Sequence, residues 1–132
     1  MVRQASLTDL PMISFVIQNE THAINFDIIA KELVSRGVPG DNVQLIHLDG
    51  VMGLNTEKYA TFPNRFRIPF KLKKPFYRHD GLARLFIMQK LRPILTDLVR
   101  RTKILIIGCD GALQRYMARV VKNNGGKCIM FL

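Results

Sequence analysis

Lys103-Ile-Leu-Ile-Ile-Gly-Cys-Asp-Gly111 decides the reading of this chain. The uninterrupted run Ile104–Ile107 suits a parallel strand buried on both faces, which need not alternate. Gly108 and Gly111 bracket a tight turn. After it Leu113, Tyr116, Met117, Val120 and Val121 recur at the spacing of one helical stripe. Lys122-Asn-Asn-Gly-Gly126 supplies a cation for the last turn and glycines for the stop. Lys127-Cys-Ile-Met-Phe-Leu132 is a second apolar run, so strand, turn, helix and strand follow one another. Such a crossover has one usual solution, a right-handed parallel unit. Ligands of parallel sheets sit beyond the carboxyl ends of the strands, which puts Gly108, Asp110 and Gly111 among the candidate contacts.

The same pattern opens the chain. Leu10–Ile17 reads as a strand and Gln18–His22 as its exit loop, with Thr21 the expected N-cap. Ala23, Phe26, Ile29, Ala30 and Leu33 form a helical stripe that ends at Arg36-Gly37, and Asn42–Asp49 is the next strand. Between these two units the rhythm breaks. Residues 55–80 form a basic, aromatic insertion with Pro63, Pro69 and Pro75. From Lys58 to Arg78 it holds seven Lys or Arg, six Tyr or Phe and no acid. Leu82, Leu85, Phe86, Leu91, Ile94, Leu95 and Leu98 return to helical spacing, with Pro93 either kinking that helix or starting its second half. The expectation is one Rossmann-like three-layer α/β domain over 1–132. Its mostly parallel central sheet has four strands, plus a short extra one in the insertion. The apolar run to Leu132 reads as a core strand that wants a covering element. It suggests the N-terminal lobe of a larger protein, or a domain completed by another chain.

The 132 residues carry a formal net charge of +10, which calls for an anionic partner: nucleic acid, an acidic lipid surface, or a phosphorylated substrate. No apolar run reaches the roughly 18 residues of a membrane span, and Met1-Val-Arg-Gln is no signal peptide, so a cytoplasmic protein is expected. Cys109 and Cys128 fall at opposite ends of neighbouring strands and read as free thiols. Neither G-x-G-x-x-G nor a P-loop is present, and no nucleophile elbow surrounds a Ser or Cys. His47 lies inside an apolar strand as a core histidine, and His79 beside Asp80 reads as exposed. Three histidines without a Cys or His partner at ligand spacing argue against a zinc site. Glu20, Asp49 and Asp110 each follow a strand, and together they could hold Mg²⁺ for phosphodiester hydrolysis. Ordinary solvated acids, with Asp110 capping the next helix, are the preferred reading, and no metal or cofactor is expected.

Phe15–Gly37, with its polar turn containing His22 and its Leu33-Val-Ser-Arg-Gly ending, resembles the opening of GT-B glycosyltransferases and of UDP-N-acetylglucosamine 2-epimerases. Ile104–Leu132 is similar to a later part of the same N-terminal domain. The resemblance implies the acceptor-side lobe of an enzyme using a sugar nucleotide, with the donor site in a separate C-terminal domain. It implies a base at His22 or Glu20, with Asn19, Thr21, Asp49, Gly108, Asp110 and Gly111 on the substrate side. It also implies a glycan or lipid-linked acceptor at a membrane face, for which Arg65, Arg67, Lys71, Lys73, Lys74 and Arg78 would contact anionic lipid. Interleaved rings and cations equally suit single-stranded nucleic acid, so a nucleic-acid-binding domain or small metal-dependent nuclease is the alternative.

Overall fold

Among the described residues five short strands pair side by side into a single sheet, and every pairing is parallel. The computed structural model describes residues 12–48, 55–68 and 81–131. In chain order these hold β1 (Met12–Ile17), α1 (Glu20–Ser35), β2 (Val43–His47), β3 (Arg65–Arg67), α2 (Gly81–Val99), β4 (Thr102–Ile107), α3 (Ala112–Asn123) and β5 (Lys127–Met130). The spatial order is β3-β2-β1-β4-β5, so among the described residues β1 is the central strand and β3 and β5 are the edges. The expected Rossmann-like α/β sandwich is present, and β3 is the short extra strand expected within the insertion.

Burial follows strand alternation. Phe15 and Ile17 of β1 join Val43 and Leu45 of β2 under Ala23, Phe26 and Ala30 of α1. Val16, Ile46, Leu105 and Ile107 point the other way, onto Leu91, Leu95 and Val99 of α2 and Met117 and Val121 of α3. One face therefore carries one helix and the other carries two. Full burial of each large apolar side chain contributes about 1.5–3 kcal/mol, and these two layers supply the main driving force.

The helix stops work as the glycines suggest. Gly37 takes φ +106° after α1 and Gly125 takes φ +81° after α3, a region costly for residues with a Cβ. Each closes the paired hydrogen bonds of a Schellman ending: Gly37 and Val38 onto Val34 and Leu33, and Gly125 and Gly126 onto Lys122 and Val121. Pro93 sits inside α2, which runs unbroken from Gly81 to Val99. Thr96 Oγ1 donates to the Arg92 carbonyl at 2.7 Å, one turn back. Thr96 also bonds the Tyr116 hydroxyl at 2.8 Å, tying α2 to α3.

A polar seam crosses the amino ends of the three middle strands. The buried hydroxyls of Ser14 and Thr102 are 2.7 Å apart, and Gln44 Nε2 donates to Ser14 Oγ at 2.8 Å and to the Leu98 carbonyl at 2.9 Å. Beside it, the β1–β4 pairing shifts register between Met12 and Ile13.

Candidate functional site

The chain leaves β1 for α1 on one face of the sheet and leaves the adjacent β4 for α3 on the other face. This divergence is the switch point beyond whose carboxyl edge ligands of open parallel sheets bind. Residues 18–22 and 108–114 wall it, so Glu20, His22, Gly108, Asp110 and Gly111 are brought to one edge as expected. Asp49, Lys71, Lys73, Lys74, Arg78 and His79 lie outside the described residues.

The α1 side is built by a reciprocal cap. Asn19, not Thr21, is the N-cap; its side chain accepts from the His22 N–H at 2.9 Å, and Thr21 is exposed within the first turn. The His22 ring reaches back, its Nδ1 accepting from the Gln18 N–H at 3.2 Å. The arrangement resembles a capping box with an imidazole at the third helical position, except that the ring holds the N–H of the residue before the cap rather than that of Asn19 itself. The other ring nitrogen bonds the Gly108 backbone, which requires Nε2–H to donate to the carbonyl. The ring is also stacked on Phe26, with centroids 5.4 Å apart. Burial lowers the His22 pKa, opposed by the Gly108 bond. His22 is thus a neutral, half-buried clip between α1 and the β4 turn, rather than a residue on an exposed loop. Glu20 is exposed at the first position of α1, where a carboxylate suits the helix dipole.

The α3 side corrects a second expectation. Gly111 is the N-cap and no side chain caps the helix, so Asp110 does not take that role. Its carboxylate is mostly solvated, 3.7 Å from Arg115 Nε. The residue that closes this side is Gln114. It is buried, and its Nε2 donates to Gln18 Oε1 at 2.7 Å, bridging the two walls of the crevice. A Cβ at Gly111 would fall 2.3 Å from Gln114 Oε1, so a larger residue there would have to displace the amide that makes the bridge. Among the described residues no three His, Cys, Asp or Glu side chains cluster as a metal site. Cys109 and Cys128 are free thiols.

The described part of the insertion, residues 55–68, packs against the domain. Phe62 and Ile68 are buried and Tyr59 packs under α1, while Phe66 is partly exposed. Asp27 accepts from the Thr61 and Phe62 N–H groups at 3.0 and 2.8 Å and pairs with Lys31 at 2.8 Å. Burial pushes its carboxyl up, but the Lys31 ammonium and the two N–H donors outweigh burial, and the pKa is lowered. Arg65 donates to the Glu57 and Ala60 carbonyls, and Arg67 stands 3.7 Å from Glu57. Both of these candidate lipid contacts are engaged within the fold. His47 is buried against Thr56 at 2.9 Å, the core histidine expected.

An all-parallel, five-stranded Rossmann-like domain with a side-chain-bridged switch point is the class this defines. The chain resembles a solved C-terminal domain of a hydrogenase from Pyrococcus furiosus, with TM-score 0.58, 18% identity and coverage of 100% of this chain and 97% of that one. At that identity the likeness concerns the fold. No family model matches the chain, and no curated protein matches it in sequence.

Proposed function

We propose that this chain is the acceptor-side lobe of a GT-B glycosyltransferase, acting on a glycan or lipid-linked acceptor at an anionic membrane face. The supporting observation is the crevice at the β1–β4 divergence, where the turns quoted for the resemblance come together. In this reading Glu20, exposed on the rim, orients the acceptor hydroxyl. His22 is a positioning residue, because both ring nitrogens already hold backbone groups. The sugar-nucleotide site belongs to a further domain, and the chain alone is catalytically silent: group transfer needs donor phosphates neutralised opposite the nucleophile. The excess of cations holds the lobe against anionic lipid, while no described helix is long and apolar enough to cross a membrane.

An NMR titration with a polyprenyl-phosphate-linked sugar in bicelles tests the reading. The amides of Gln18, Glu20 and Asp110 should shift, and Glu20→Gln should weaken binding. Unmoved amides refute it. Incubation with labelled RNA and Mg²⁺ or Mn²⁺ examines the rival reading: cleavage abolished by Asp110→Asn would establish a nuclease instead.

A further inference from the structure

β5 ends the sheet, and among the described residues no strand pairs with its outer edge. The Phe131 N–H donates inward to the Ile107 carbonyl at 2.7 Å. By the alternation of a parallel strand, Cys128 and Met130 turn their backbone groups outward. Edge strands normally shield such groups, because they template pairing with another chain. Here the side chains on this edge are half-exposed apolar groups: Ile129 at 50%, Met130 at 44% and Phe131 at 49%.

The two faces of the edge differ in chemistry. Phe131 lies on the α1 face, its ring edge-on to Phe26 at 6.2 Å, and alternation puts Ile129 beside it. Met130 and Cys128 face α3, where they floor an open groove of about 510 Å³. Arg115, Arg119 and Lys122 line the other wall of that groove. All three are exposed, and among the described residues neither Arg119 nor Lys122 has a carboxylate partner. Asp110 partly offsets Arg115 at one end.

We infer that the outer edge of β5 takes an extended acidic segment of a partner protein, adding it as a sixth strand. Backbone pairing supplies affinity and the two unlike faces supply specificity. The segment alternates, with Glu or Asp toward Arg119 and Lys122 and apolar residues toward Ile129 and Phe131. A second copy of this chain is disfavoured, since it would set like-charged ridges side by side on a protein of formal charge +10. Nucleic acid could match the ridge, but it would leave the outward amides and the apolar face unused.

The test is a fluorescence-anisotropy titration with a short peptide of alternating glutamate and valine, using the 132-residue chain. The peptide should bind, and hydrogen exchange should slow at 127–131. The double variant Arg119→Glu/Lys122→Glu should weaken binding about tenfold or more. Met130→Pro should do the same while Met130→Ala does not. An edge proline removes only an outward N–H and leaves the β4 ladder intact, which a thermal melt verifies. Equal binding of polyglutamate, survival of binding in Met130→Pro, tighter binding of a single-stranded oligonucleotide, or a dimer protected at 127–131 would each overturn the inference.

Discussion

The substitution Gly108→Ala isolates the clip that joins α1 to β4. A Cβ on Gly108 would lie 2.2 Å from His22 Nε2, where 3.4 Å begins ordinary contact. The ring must retreat by a little over an ångström. It cannot do so while keeping the 3.2 Å bond from the Gln18 N–H or the bond to the Gly108 carbonyl. Two hydrogen bonds at a net value near 1 kcal/mol each set the cost at about 2 kcal/mol. For a domain of this size that corresponds to roughly 8 °C in Tm. Urea unfolding of the wild type, Gly108→Ala, His22→Ala and the double variant reads the cost as a cycle. His22→Ala should itself lose about 2 kcal/mol, and Gly108→Ala should then add less than about 0.5 kcal/mol, because nothing remains to collide with. If Gly108→Ala costs the same in both backgrounds, the clip does not exist and the reasoning fails.

Other outcomes follow from the same geometry. The folded His22 pKa lies below its ordinary value, so the folded chain resists a proton that the unfolded chain accepts. Its contribution is complete above about pH 6.5 and falls as pH drops through the lowered pKa; an NMR titration of the ring should return a midpoint under about 6.5. Asp27, also lowered, contributes fully above about pH 4 and loses that contribution on further acidification. Asp27→Asn should therefore flatten the fall in urea midpoint between neutral and acid pH. Gln114→Ala should cost about 1–2 kcal/mol by stranding the buried amide bridge to Gln18. Vesicle co-sedimentation should rise with anionic lipid, fall with salt, and weaken on charge reversal of Lys73 and Lys74.

The strands were legible because a parallel sheet covered on both faces demands continuous apolar runs, and Phe15–Ile17 and Ile104–Ile107 are such runs. The ends of α1 and α3 were legible because few residues other than glycine take positive φ, as Gly37 and Gly125 do. Helix starts were not. Asn19 and Thr21 are both good caps, and what separates them is backbone: Asn19 is extended while Thr21 is already helical. Asp110 offered the same false signal beside Gly111. The pins of the site were missed for another reason. Asp27 and Gln114 sit within apolar stripes, where a polar residue reads as an interruption. Each is buried against a partner distant in sequence, Thr61 and Phe62 for one and Gln18 for the other. The available signal was a polar side chain on a buried stripe, which must find a bond across the fold.

The Ser14–Thr102–Gln44 seam bears on how such a sheet assembles without error. Runs of Ile, Leu and Val are nearly interchangeable, and a parallel strand of them could slide by two residues and still bury oil against oil. The seam makes that slide expensive. In the slipped alignment a buried hydroxyl would face a methyl group and Gln44 would lose its bond to Ser14, leaving dry polar atoms at about 1–3 kcal/mol apiece. Three polar side chains thus act as an indexing notch for the central strands, rejecting misaligned copies that hydrophobicity alone would accept. Replacing Ser14 and Thr102 together with Ala and Val should leave the chain folded, yet slower to reach one arrangement and more inclined to aggregate on the way.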